Sequence, residues 1–266
     1  METFAPPLTS ECCLCGSKDA LSGEHKIKAS ALRAVFGKQG MVIAKHGGPY
    51  RFAQSPSSKA LHFSARVCEV CNNSRTQPAD LAFDQFNARA LELMALGSNP
   101  ADVFKDPRFI QDGPLYLDVF RYFAKLMCCH LAEMSAPSFE DVAGFAIGAN
   151  DDNFILLTVD ADVAFERLRI HLPEMPYAAH GGLAITGDRD SLAPASFYST
   201  LTIGPVRYRY QVRLNEIGQA RLMIEHPAFY DWCARRVEDA IKNPMSDEDS
   251  ELLGLAVNTP DHSDPE

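Results

Sequence analysis

The chain has 266 residues, of which 46% are hydrophobic and 23% are charged, a composition typical of one or two globular domains. It contains no apolar run of about 18 residues, and its first residues lack the basic and apolar regions of a signal peptide. The sequence therefore predicts a cytoplasmic protein that neither spans nor binds a membrane.

The formal net charge of −10 argues at first against a nucleic acid partner, because a phosphate-binding surface needs Lys and Arg. The charge is unevenly distributed, however. Residues 1–95 contain 11 Lys and Arg against 8 Asp and Glu, whereas the rest of the chain contains 14 against 27. Seven of these acids follow Ser246, where Lys and Arg are absent. We expect a mildly basic first third and a disordered acidic tail over residues 246–266.

In chain order, we expect a flexible leader over residues 1–10 and a compact metal-organised unit over residues 11–95. Glycine and proline residues between Lys38 and Lys59 predict a long loop or hairpin inside this unit. A helix should follow Cys71, with Pro78 in its first turn. Its expected buried stripe consists of Leu81, Phe83, Phe86, Ala90, Leu91 and Met94.

Glycine and proline residues at 97–100 and shortly afterwards predict a domain boundary. Beyond it the hydrophobic period is first helical and then becomes strand-like. The expected elements are a helix over residues 115–134, strands over 154–159, 198–214 and 219–225, and a final helix from Pro227 to about residue 242. The fold class is therefore α+β, with a mixed α+β domain over residues 96–245.

Two Cys-x-x-Cys pairs, Cys12 with Cys15 and Cys68 with Cys71, have the spacing of a four-thiolate zinc site. Redox-active or unpaired core cysteines are the alternatives. Cys13 is adjacent to the first pair but lacks its spacing. We therefore predict one structural Zn²⁺ per chain. Cys128 and Cys129 fall in a helical apolar pattern and are expected to be buried thiols.

The polar residues around these pairs suggest a second site. Glu24 and His25 lie between the two cysteine pairs, and Asn72 directly follows the second pair. A carboxylate and an amide oxygen suit Mg²⁺ or Mn²⁺, and a histidine can deprotonate water near neutral pH.

This pattern, over residues 11–95, resembles the HNH endonuclease family, whose ββα-metal fold carries an acidic-His pair between two such cysteine pairs. The resemblance implies that His25 is the general base and that Glu24 and Asn72 hold the catalytic Mg²⁺ or Mn²⁺. The expected function is hydrolysis of phosphodiester bonds in double-stranded DNA, in restriction, phage defence or a mobile element. Arg75, Lys26 and Lys28 are the expected phosphate-binding residues.

The chain departs from the family pattern at several positions. Lys28 stands where the family often has proline, and no central Asn precedes the second cysteine pair. His62 is a candidate to orient the base, although an isolated strand histidine is more often a packing or surface residue. Asp80 and Asp84 lie one helical turn apart, but such acidic pairs are usually solvated, and we leave them outside the site.

The second domain gives weaker functional signals. Arg207, Arg209 and Arg213 alternate along one predicted strand and form either a phosphate-binding ridge or, more commonly, a solvated strand face. Substrate recognition, partner binding and homodimerisation all remain open for residues 96–245. The alternative function is a non-catalytic zinc module that binds nucleic acid or a protein.

Overall fold

The structure is a computed structural model, and it describes residues 3–38, 40–43, 51–172 and 174–252. About 45% of the chain is helical and 21% is in strands, which confirms the α+β class. Among the described residues, no helix is both long enough and apolar enough to cross a membrane.

The first part of the chain consists of two small antiparallel strand pairs and two helices. The elements are β1 (Leu21–His25), α1 (Ala29–Phe36), β2 (Met41–Ile43), β3 (Arg51–Ala53), β4 (His62–Cys68) and α2 (Gln77–Ala95). Strand β1 pairs with β4 and strand β2 pairs with β3, as expected for a hairpin in the loop between the cysteine pairs. A short 3-10 helix precedes β4, and a π-helical turn connects the end of β4 to α2.

The second part contains a five-stranded antiparallel sheet with helices around it. The elements are α3 (Tyr116–Glu133), α4 (Glu140–Ala146), β5 (Ile155–Ala161), α5 (Val163–His171), β6 (Ala178–His180), β7 (Ala184–Gly187), β8 (Pro194–Ile203), β9 (Val206–Arg213), α6 (Glu216–Glu225), α7 (Pro227–Lys242) and α8 (Asp247–Leu252). The strand order in the sheet is β5-β9-β8-β6, and β7 also pairs with β8.

Most sequence-predicted elements are present, but three local predictions are wrong. The single strand expected over residues 198–214 is two antiparallel strands, β8 and β9, joined by a turn at Gly204 and Pro205. Residues 219–225 form part of helix α6 and not a strand, because the side chain of Asn215 accepts a hydrogen bond from the backbone N–H of Gly218 and caps a helix. Leu81 was expected in the buried stripe of α2, yet it is 55% exposed. The buried side of α2 includes Ala79, Ala82 and Phe83 instead.

The hydrophobic core is continuous from the first part to the second. Helix α3 lies at its centre, packed against α2, β4 and β9. The ring of Phe83 on α2 stacks on Tyr122 of α3 at a centroid distance of 3.9 Å. Across the same core, the hydroxyl of Tyr208 donates to the side-chain oxygen of Asn87 at 2.8 Å. Residues on both sides of positions 97–100 thus bury a shared apolar surface.

The two ends of the described chain contact this body. Residues 3–10, expected as a flexible leader, form no helix or strand, but Phe4 packs edge-on against Phe229 at 5.3 Å. The backbone N–H of Leu8 donates to the carbonyl of Ala132 at 3.1 Å. The predicted acidic tail begins with helix α8, and its remainder lies outside the described residues.

Candidate metal centre and adjoining site

The four predicted cysteines come together at one end of β4. The Sγ atoms of Cys12, Cys15, Cys68 and Cys71 all lie within 4.8 Å of one another, and those of Cys15 and Cys68 are 3.6 Å apart. A tetrahedral zinc with Zn–S bonds of about 2.3 Å separates its sulfurs by roughly 3.8 Å. The donor set and its spacing therefore fit Zn²⁺. Among the described residues, this is the only group of three or more His, Cys, Asp or Glu side chains that could share an ion.

The protonation of these thiols shows why the cluster favours a cation. Burial raises the pKa of Cys12 to about 11 and raises that of Cys71 as well. Burial also opposes the Cys68 thiolate, but hydrogen bonds from the Cys71 backbone and the neighbouring thiols lower the pKa of Cys68 overall. Four crowded sulfurs cannot all ionise unless a positive charge lies among them, and a bound Zn²⁺ supplies that charge.

Backbone pairing fixes the strand that carries Glu24 and His25. Gly23 lies opposite Arg66 and His25 lies opposite His62, with an irregularity in the register between these two pairs. Strand β4 alternates, so that Phe63, Ala65 and Val67 are buried. Because β4 runs directly into the second cysteine pair, the four-cysteine cluster and the acidic-His pair belong to one two-stranded unit.

Glu24 is held by a lysine from helix α3. The side chain of Glu24 is buried, and its Oε1 lies 3.1 Å from Nζ of Lys125. The same Nζ lies 2.6 Å from Oδ1 of Asp80 on α2. Burial lowers the pKa of Lys125, but the two carboxylates outweigh burial and raise it overall, so this lysine stays charged. Sequence analysis missed Lys125 because it lies in an otherwise apolar helix about 100 residues away, and its one signal was a charge within that apolar pattern.

His25 lies against His62, with ring centroids 3.9 Å apart. Its Nε2 is buried without a hydrogen-bond partner. Burial and the nearby charges of His62, Arg33 and Lys125 lower the pKa of His25 to about 4. His25 is thus neutral at pH 7.

Asn72 lies in the π-helical turn between β4 and α2. Its side-chain nitrogen donates to Oγ of Ser22 at 3.2 Å, which ties this turn to strand β1 two residues before Glu24. The bond uses the amide nitrogen, so the amide oxygen keeps its capacity to bind a cation. Glu24 and Asn72 therefore offer the donor types that Mg²⁺ or Mn²⁺ prefers, although one of these donors is already paired with Lys125.

The three predicted phosphate-binding cations have different surroundings. Nζ of Lys26 lies 3.1 Å from Oε2 of Glu133, and Nζ of Lys28 lies 2.6 Å from Oδ2 of Asp84. Both ammonium groups are therefore neutralised by carboxylates of α3 and α2. Arg75 is exposed and approaches the Cys71 sulfur at 3.9 Å.

The arginine side chains that alternate along β9 lie partly in the protein interior. Arg207 is buried, and its Nε donates to Oδ2 of Asp162 at 2.9 Å. Arg209 lies 3.6 Å from Asp160. These ion pairs join β9 to the end of β5, which is the role of a structural strand face and not of a phosphate-binding ridge.

Comparison of the chain with models of protein families, with curated proteins and with solved structures found no match.

Proposed function

We propose that this chain is a metal-dependent endonuclease that hydrolyses phosphodiester bonds of double-stranded DNA. The observation that supports this most is His25, a neutral imidazole whose Nε2 has no hydrogen-bond partner and whose strand pairs with the strand that ends at Cys68 of the four-cysteine cluster. The sequence resemblance to HNH endonucleases supports it independently.

In this proposal the neutral His25 accepts a proton from the attacking water through Nε2. Nε2 is covered in this structure, so it has to become accessible when substrate binds. Glu24 and Asn72 would hold the Mg²⁺ or Mn²⁺, which supplies charge stabilisation at the scissile phosphate when bound. Zn²⁺ held by the cysteines braces the strands and takes no part in hydrolysis. The chain acts in the cytoplasm, in restriction, phage defence or a mobile element.

A plasmid-cleavage assay tests this function. Wild-type protein and His25→Ala, each with one zinc bound, are incubated with supercoiled DNA in Mg²⁺, in Mn²⁺ or without added metal. We expect cleavage by the wild type only when metal is added, and a loss of about 100-fold or more in His25→Ala, the scale typical of a general base. Equal cleavage by both proteins, or none by either, would contradict the proposal.

A non-catalytic zinc module that binds nucleic acid or protein is the second candidate. The ion pair between Glu24 and Lys125 favours it, because this lysine already neutralises the carboxylate that would hold the catalytic metal. The burial of Nε2 of His25 favours it too. Zinc content with no cleavage under any metal is the result that this candidate predicts.

A further inference from the structure

The cations near His25 and His62 differ from most others in having no acidic partner. Arg33, Lys59 and Arg66 are exposed, and among the described residues none has a carboxylate oxygen within 4.0 Å. Elsewhere, ion pairs engage most of the described Lys and Arg side chains. These are Arg89, Lys105, Arg108, Arg121, Lys125, Arg167, Arg207, Arg209, Arg221, Arg236 and Lys242.

Strand register places Arg66 and the histidine pair on one face. His62 and Arg66 are four residues apart on β4, so their side chains lie on the same side, opposite the buried side chains of Phe63 and Val67. Gly23 faces Arg66 across the strand pair and has no side chain to fill the space. A Cβ there would lie 2.8 Å from Nδ1 of His62, so only glycine leaves room for this ring.

Two further elements carry cations that lie near the histidine pair. Lys59 lies in the 3-10 helix that runs directly into β4, and Arg33 lies on α1. After burial, the charges of Arg66 and Lys59 are among the causes that lower the pKa of His62, and the charge of Arg33 helps to lower that of His25. All three cations are therefore close enough for their fields to reach the histidine pair.

The carboxylate that acts on this pair from β1 is compensated. Glu24 also acts on His62, but Lys125 pairs with it from the interior. The face consequently remains positive although the whole chain carries a net charge of −10. Exposed guanidinium groups without acidic partners suit phosphate oxygens, which accept two parallel hydrogen bonds from them.

We infer that Arg33, Lys59 and Arg66 form a basic face around His25 and His62 that binds the phosphate backbone of double-stranded DNA. The choice of DNA rests on the proposed function. Such binding neutralises phosphates without reading bases, so it is salt-dependent and nearly independent of sequence.

A binding measurement without turnover tests the basic face. The parent protein is His25→Ala, zinc-loaded, with no added Mg²⁺ or Mn²⁺, and binding of a short labelled duplex is followed by fluorescence anisotropy over a range of salt concentrations. The test variant adds Arg33→Ala, Lys59→Ala and Arg66→Ala. The control variant adds Arg169→Ala, Arg189→Ala and Arg235→Ala, three exposed cations outside the face that change the net charge equally.

We expect the test variant to bind at least about tenfold more weakly and to lose about one unit of salt slope for each residue removed. The control should bind like the parent, and zinc content and melting temperature should agree among all three proteins. Equal binding by parent and test variant, or equal weakening in both triple variants, would overturn the inference. Preferential binding of duplex RNA would overturn the choice of DNA.

The outcome is separable from that of the proposed function. DNA that binds through the face but is never cleaved by wild-type protein refutes the nuclease and leaves the face standing. Metal-dependent cleavage that is unchanged by the three substitutions refutes the face and leaves the nuclease standing.

Discussion

At the scale of single residues, the fully buried ammonium of Lys125 is the most consequential group in the structure. Nζ contacts carboxylates of both β1 and α2, so one side chain of α3 compensates two acids that lie in different elements. An ammonium group removed from water is tolerated only where its charge is matched. Lys125 is therefore the cation that matches the charges of Glu24 and Asp80 inside the protein.

Lys125→Met should lower the free energy of unfolding by about 3–5 kcal/mol, because it leaves the buried carboxylate of Glu24 and the partly buried carboxylate of Asp80 without their cation. Denaturant unfolding followed by circular dichroism measures the change. The control is Lys105→Met, since Lys105 is 79% exposed and pairs only with Asp102. This control should shift stability by less than about 0.5 kcal/mol. Similar losses in both variants would show that the buried ion pairs contribute little.

Two histidines predict the effect of acid: His130 is buried, and His180 is partly buried with its Nε2 covered. Burial and the charge of Lys26 lower the pKa of His180 to about 3, and its ring stacks on that of His130, whose pKa is also lowered by burial. The unfolded chain binds a proton at each histidine below pH of about 6.5, whereas the folded protein does not. Stability is therefore lost as the pH falls from about 6.5 towards 3.

His180→Leu should reduce this acid sensitivity. From pH 7 to pH 5 the free energy of unfolding of the wild type should fall by about 2 kcal/mol through His180, at about 1.36 kcal/mol for each unit of pH below 6.5. The variant should lack this contribution. Urea unfolding at the two pH values gives the difference. His171→Leu is the control, because His171 is exposed and should leave the pH dependence unchanged. A variant that remains as acid-sensitive as the wild type contradicts this linkage.

At the scale of elements, the four-cysteine cluster connects segments that have few other reasons to associate. Cys12 lies in a loop that bridges to Arg66, while Cys68 ends β4 and Cys71 begins the turn into α2. Strands β1 and β4 alone make a two-stranded pair, which is marginal in water. A structural zinc in such a site contributes on the order of 10 kcal/mol of binding free energy, all of which stabilises the folded arrangement.

Cys68→Ser should abolish stoichiometric zinc and destabilise β1, β4 and the start of α2. Metal analysis gives the zinc content, and hydrogen exchange locates the loss of protection. Cys233→Ser also removes a buried thiol but lies outside the cluster, so it should retain one zinc per chain. A Cys68→Ser protein that keeps its zinc and its protection from hydrogen exchange would refute the predicted four-cysteine zinc site.

At the scale of the whole molecule, the part that carries the four cysteines packs against the second part. Helix α3 supplies both Lys125 and the ring of Tyr122, on which Phe83 stacks. A chain that ended at residue 95 would therefore expose the apolar face of α2 and leave Glu24 and Asp80 unpaired. The acid-rich second part, whatever else it does, is needed to complete the fold around the site.

A fragment of residues 1–95 should accordingly fail to fold cooperatively even with one equivalent of Zn²⁺, since zinc replaces neither the buried lysine nor the aromatic contacts. Amide NMR spectra of the zinc-loaded fragment provide the measurement, with the full chain as reference. Well-dispersed resonances in the fragment would show that residues 11–95 form an independent domain.

Local patterns were sufficient for much of the fold. Spacing alone identified the four cysteines, and the hydrophobic periods located α3, α7, β5 and an extended segment over 198–214, but not the turn that divides this segment into β8 and β9. The error at residues 219–225 arose because their apolar residues suit either period, whereas the capping bond of Asn215 that decides for a helix becomes certain only in three dimensions.

The sequence by itself determined the thiolate cluster and the presence of Glu24, His25 and Asn72 around it, because short spacings and residue chemistry are local properties. Only the tertiary structure decided which charges meet. It paired Lys26 and Lys28 with acids, brought Lys125 to Glu24 from about 100 residues away, and left Arg33, Lys59 and Arg66 without acidic partners beside two histidines. Electrostatic interactions depend on distance in space and on burial, and neither quantity can be read from order along the chain.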